Sequence, residues 1–84
     1  MKKKVVRQLY IDAAERLTPY THYYKRHLIT FEEMLTSIGD ALRDEKNDII
    51  DAEYAGTITA DERQLIFDRL EAFVKKEIKN ACKA

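Results

Sequence analysis

Apolar side chains recur along this chain at steps of three and four, the spacing that gathers them on one face of a helix. From Thr30 onward Phe31, Met34, Leu35, Ile38, Ala41 and Leu42 form one seam, and Ile49 extends it by a heptad. Thr30-Phe31-Glu32-Glu33 supplies its start as a capping box, in which the Thr30 hydroxyl accepts from the Glu33 amide and the Glu33 carboxylate reaches back. Gly56 marks its end, because the residue just past a helix commonly needs a positive φ and glycine adopts it freely. Thr59-Ala60-Asp61-Glu62 is a second capping box. It opens a seam of Ile66, Leu70, Phe73, Val74, Ile78 and Ala81, with Lys75, Lys76, Lys79 and Lys83 gathered where the helix dipole favours cations. The pattern predicts an all-α fold built on a long helical hairpin, about 31–55 and 60–82. The polar run Arg43-Asp44-Glu45-Lys46-Asn47-Asp48 is where the first of these helices could split.

One or two shorter N-terminal helices complete a small helical bundle. Val5, Val6, Leu9, Tyr10, Ala13 and Leu17 make one amphipathic face, which Thr18-Pro19 interrupts, since proline disfavours helical geometry in the residue before it. The preferred reading is a break, with Thr18 as N-cap and Pro19 at the first position of a new helix running to about Ile29. The alternative is one kinked helix from Lys3 to Ile29. No linker, internal repeat or low-complexity segment divides the chain, so residues 1–84 read as a single domain.

Composition narrows the class. Two glycines and one proline cannot punctuate a many-stranded sheet, and one cysteine builds neither a disulfide framework nor a cysteine zinc site. No uncharged stretch is long enough to span a bilayer. Lys2, Lys3 and Lys4 imitate the basic start of a signal peptide, but Arg7, Asp12, Glu15 and Arg16 interrupt the apolar segment that would have to follow. The expectation is a cytoplasmic protein with no membrane partner.

Lys and Arg balance Asp and Glu at 15 each, but not locally. Residues 1–28 carry +5, residues 29–71 carry −8 and residues 72–84 carry +3. That pattern is self-complementary, so a second copy of the chain is the first partner it suggests. Geometry adds to this. An unbroken helix 31–55 would be about 38 Å long, against about 30 Å across for a compact globule of this size. It should therefore break or lie against another chain, and a homodimer is expected.

Three functional templates overlap on the hairpin turn. Residues 51–62 resemble the twelve-residue EF-hand calcium loop, with Asp51 first, Gly56 at the sharp turn, Ile58 eighth and Glu62 at the bidentate position, while Glu53 stands third where the motif uses the shorter Asp or Asn. Ala55, which offers no side-chain oxygen, and the lack of a second loop depart from that motif. A helix-turn-helix reading would place Asp61 and Glu62 against a nucleic-acid backbone, which repels them. The plainer reading is a structural turn: Gly-x-Ile-Thr-x-x-Glu is similar to turns of small bacterial helical-hairpin domains of the short C-terminal (SHOCT) type. No resemblance extends far enough along the chain to carry a function, and no metal is expected at the turn.

Two surfaces are candidates for partners. Tyr20, Tyr23, Tyr24 and Arg26 sit among His22, Lys25 and His27, and large rigid side chains with polar tips suit a protein interface. Asp40, Asp44, Asp48 and Asp51 align on one helix face as a second contact surface. Each has a plainer reading, core packing for the tyrosines and a hydrated outer face for the aspartates. His22 and His27 lie five apart, off the i, i+4 spacing of paired ligands. Ser37 has no evident base, Cys82 is expected to be an exposed thiol, and no cofactor motif appears. The sequence therefore points to a non-catalytic protein–protein interaction module, binding itself and an unidentified protein as adaptor, regulator or inhibitor. The alternative is nucleic-acid binding through Lys2, Lys3, Lys4 and Arg7 together with Lys75, Lys76 and Lys79, provided the fold brings the two clusters together.

Overall fold

The computed structural model describes residues 2–83, with side chains from Lys4 onward, so the side chains of Lys2 and Lys3 lie outside the described residues. Four helices follow one another: α1 (Lys2–Leu17), α2 (Pro19–Lys25), α3 (Phe31–Tyr54) and α4 (Ala60–Cys82). The hairpin, α3 and α4, falls where the apolar spacing and the two capping boxes put it. Both boxes are formed: the Thr30 hydroxyl accepts from the Glu33 amide at 3.1 Å and Glu33 Oε1 accepts from the Thr30 amide at 2.8 Å. The Thr59–Glu62 pair repeats both distances.

α1 and α2 are one rod with a kink. Pro19 has no N–H to give to the Glu15 carbonyl. That carbonyl accepts instead from the Thr18 amide at 3.4 Å, while the Thr18 hydroxyl donates to the Ala14 carbonyl at 2.9 Å. Thr18 keeps helical angles (φ −69°, ψ −38°) and its side chain caps nothing in α2. Two helices are thus present, as the preferred reading has it, but they join through a helical Thr18 as a kinked rod, as the alternative has it, and the expected capping role is absent. α2 also stops at Lys25, short of Ile29, because Arg26 leaves the helix and His27 turns left-handed at φ 61°.

Taken with Thr18, α1 and α2 match the 24 residues of α3 and the 23 of α4. Three rods of about 36 Å pack up, down and up into a body 41 × 18 × 15 Å. The polar run 43–48 does not split α3. Glu45, at the seam position between Leu42 and Ile49, is buried and takes a 2.7 Å ion pair from Arg16 of α1. The elongated bundle accommodates the whole of α3, so helix length alone gives no reason for a second chain.

Two apolar clusters fill the axis. One joins Ala13, Ala14, Leu17, Ile49, Ile58, Ile66 and Leu70, with Val5, Val6 and Leu9 packed on it. The other joins Met34, Ile38 and Ala81, with Tyr20, Tyr24, Ile29 and Ile78. These clusters fix the direction of the rods: the start of α1 shares one end with the Gly56 turn, and the end of α4 shares the other with the His27 turn. Phe31 and Leu35, read from the periodicity as seam residues, are instead exposed.

Candidate functional site

The two inter-rod turns are the same structure. After α2 the amide of His27 donates to the Tyr24 carbonyl at 3.0 Å and that of Leu28 to the Tyr23 carbonyl at 2.9 Å. After α3, Gly56 donates to Glu53 at 3.0 Å and Thr57 to Ala52 at 2.9 Å. This is the Schellman arrangement, in which a left-handed residue lets the chain satisfy the last carbonyls of the helix. Each turn then runs Ile-Thr-x-x-Glu into a capping box, as Ile29–Glu33 and Ile58–Glu62. The chain, read as free of repeats, thus uses one turn twice, 29 residues apart.

What differs is what the turns display. Leu28, Phe31 and Leu35 stand at the positions that Thr57, Ala60 and Gln64 occupy in the second turn, and Tyr23 at that of Ala52. All four apolar side chains of the first turn are exposed: Leu28 at 67%, Tyr23 at 44%, Leu35 at 40% and Phe31 at 39%. The backbone bond from Leu28 to Tyr23 brings those two together, and Phe31 and Leu35 lie one turn apart on α3. Aromatic edges join the corner to the core. Tyr24 meets Phe31 at 5.8 Å and Tyr20 meets Tyr23 at 6.3 Å between ring centroids, edge to face with the rings inclined at 66° and 83°.

Of the tyrosines singled out in sequence, only Tyr23 faces outward. Tyr20 and Tyr24, one turn apart, are half-buried against Met34, Ile38 and Ala81, so their plainer role as packing residues is the one seen. Arg26 is exposed at the corner, as are His22, Lys25 and His27. Leu28, Phe31 and Leu35 escaped the sequence reading. The signal was present in the comparison of the two turns, where one carries leucine and phenylalanine at positions the other fills with threonine and alanine.

The aspartate stripe is exposed throughout. Asp40 pairs loosely with Arg43 at 3.4 Å. Asp40 and Asp44, with Arg16, Tyr20, Ser37 and Glu45, line an open groove of about 620 Å³ at the α1–α2 kink. Asp48 and Asp51 lie farther along α3, toward the Gly56 end. The structure thus brings Tyr20, Asp40 and Asp44 together and leaves the rest of the stripe apart.

The residues of the calcium template are used otherwise. Asp51 and Glu53 belong to α3, Glu53 is bonded to Arg63, and Glu62 Oε1 holds the Thr59 amide. Among the described residues no three His, Cys, Asp or Glu side chains converge to hold a metal ion. Lys4 and Arg7 lie toward one end of the rod, and Lys75, Lys76 and Lys79 follow α4 toward the other. Among the described residues, these two basic groups do not form a joint surface.

Charge elsewhere is set by local bonds. The Glu33 carboxyl is held below its ordinary range, first by the Thr30 amide and then by the Thr30 hydroxyl. Glu71 is lowered by Lys46, whose ammonium sits 2.7 Å away. The Arg16 guanidinium is raised by its hydrogen bond to Glu45 and the charge of that carboxylate.

No protein family, curated protein or solved structure matches this chain. Among the described residues no helix is long and apolar enough to cross a membrane.

Proposed function

We propose that this chain is a small, non-catalytic protein–protein interaction module of the cytoplasm, acting as an adaptor, regulator or inhibitor through the α2–α3 corner. The observation that carries the reading is the internal comparison of the two turns. Folding needs a left-handed residue, an isoleucine packed inward and a capping box, and both turns have them, Ile58 being buried and Ile29 half-buried. The first turn exposes four large apolar side chains, Tyr23, Leu28, Phe31 and Leu35, at positions where the second has small or polar residues, although the second exposes Tyr54; the fold therefore does not require the four there. An exposed apolar cluster with a cationic rim, here Lys25 and Arg26, has the composition of a protein contact surface.

A second copy of the chain is the first partner to test, because the corner exposes both cations, Lys25 and Arg26, and an acid, Glu32, the opposite charges that a self-complementary two-fold contact requires. Sedimentation equilibrium over micromolar concentrations should show a reversible dimer. Leu28→Ser, at the most exposed of the four positions, should weaken it about tenfold with helicity and melting temperature unchanged. A wild-type chain that stays monomeric, or a variant that dimerises equally well, refutes self-association through this corner.

A further inference from the structure

The three rods meet along three seams, and only two are tied by polar side chains. Arg16–Glu45 ties α1 to α3; Lys46–Glu71 and Arg63–Glu53 tie α3 to α4. Among the described residues no side-chain hydrogen bond or ion pair joins α1 to α4. Along that seam lies a half-open groove of about 790 Å³, floored by Val6, Tyr10, Ile11 and Ile66 and edged by Leu65, which is 44% exposed.

Arg7 on α1 and Arg69 on α4 line this groove, one from each side. Neither is in an ion pair among the described residues, a state they share with Arg26 at the α2–α3 corner, whereas Arg16, Arg43 and Arg63 are paired. Local sequence explains why. The positions three and four away from Arg7 hold Lys3, Lys4, Tyr10 and Ile11; those around Arg69 hold Leu65, Ile66, Ala72 and Phe73. No acidic side chain is within helical reach of either cation. Glu62 closes one end of the groove, but its Oε1 is held by the Thr59 amide.

We infer that the α1–α4 groove receives an amphipathic helix with acidic flanks, supplied by a protein partner. The shape follows from the walls. Glu62, Leu65, Ile66 and Arg69 repeat at helical spacing over two turns, about 10 Å, and α1 and α4 run parallel, so a third rod laid between them completes a four-helix arrangement. Apolar side chains at i, i+3, i+4 and i+7 of the partner meet the apolar floor. Its flanking carboxylates meet Arg7 on one side and Arg69 on the other, giving each arginine the acid its own helix lacks. This surface is separate from the α2–α3 corner, and its occupancy does not depend on the reading proposed for that corner.

The test titrates the full chain into two labelled synthetic peptides and follows fluorescence anisotropy at low salt. Both peptides carry leucines at i, i+3, i+4 and i+7; one is flanked by glutamates, the other by lysines. The glutamate peptide should bind saturably and one to one, with amide shifts perturbed at Val6, Tyr10, Leu65 and Ile66. The double charge reversal Arg7→Glu with Arg69→Glu should lower its affinity about tenfold and raise that of the lysine peptide. Both arginines are exposed and outside any ion pair, so the variant's melting temperature checks that the fold is kept. Any one of three results overturns the proposal: no saturable binding of the glutamate peptide, equal binding by the charge-reversed chain, or shifts confined to the α2–α3 corner. A concentration-dependent dimer that Leu65→Ser abolishes overturns it too, by assigning the groove to a second copy.

Discussion

Glu45 and Arg16 form one ion pair whose two ends sit in different surroundings, so removing either end should move stability in opposite directions. The Glu45 side chain is 11% exposed and that of Arg16 is 60% exposed. In Glu45→Leu the arginine returns to water at little loss, and a leucine fills a seam position between Leu42 and Ile49. Apolar transfer there contributes about 1.5–3 kcal/mol, which offsets a charge-assisted hydrogen bond of about the same size. Relief of the carboxylate desolvation then leaves a net gain of about 1 kcal/mol. Arg16→Met does the reverse, leaving the Glu45 carboxylate buried without a partner, a state that costs about 1–3 kcal/mol. Urea unfolding followed by helical circular dichroism measures both. With an m-value of about 1 kcal/mol/M, the two variants should differ by about 2 M or more in midpoint, with wild type between them. A Glu45→Leu chain less stable than Arg16→Met would refute the reasoning and make the pair itself the source of stability.

Other expectations can be checked by the same kind of unfolding measurement. Gly56→Ala should cost about 1–2 kcal/mol, since Gly56 sits at φ 80° and a Cβ there meets nothing within 4 Å, leaving backbone strain as the whole effect. His27→Gly is the mirror experiment: at φ 61° it should stabilise by about 0.5 kcal/mol, strain relief exceeding the added entropy of the unfolded chain. Thr59→Ala removes the acceptor for the Glu62 amide and should cost about 1 kcal/mol in the same assay. Glu33 and Glu71 are both held below the ordinary 4.5, so each adds stability that is present above that pH and is lost as pH falls through its lower folded value. Thermal melts taken stepwise into acid should therefore show a smaller acid loss for Glu33→Gln with Lys46→Ala, which starts lower, than for wild type.

Much of the fold was legible because its signals are local. Thr30–Glu33, Gly56 and Thr59–Glu62 each carry their partners within three residues, and those contacts formed as the spacing implied. What was not legible depends on distance along the chain. Glu45 looked like part of a polar interruption because its partner, Arg16, lies 29 residues away on another rod. Phe31 and Leu35 fit the helical period of α3, yet the buried line runs through Met34, Ile38, Glu45 and Ile49, and nothing in the period says which of two adjacent lines faces the neighbours. His27 hid the first turn, since a left-handed position is read from glycine and this one holds a histidine. Of the candidate site, Tyr23 and Arg26 were legible as surface residues of an aromatic, cationic segment. The apolar half of the corner was not, because its meaning lies in a comparison between two turns.

The basic–acidic–basic order of the sequence gains a specific use in three dimensions. α3 carries most of the acidic block and lies against both other rods, and every inter-rod ion pair among the described residues has one end on α3. The acidic rod is thus the electrostatic tie of the bundle, a role that requires it to touch α1 and α4 on two sides. The seam it does not touch, between α1 and α4, is left with cations on both edges, and the acid that lines it, Glu62, stands at one end with one oxygen held by the Thr59 amide. Two parallel helices also set their like dipole ends side by side, which adds nothing to hold that seam together. Apolar packing alone, Tyr10 against Phe73 at 6.5 Å among it, closes the bundle there. The seam that α3 cannot reach is closely packed but held by apolar side chains alone, and it is the place where an acidic helix from outside would supply the pairing that the other two seams already have.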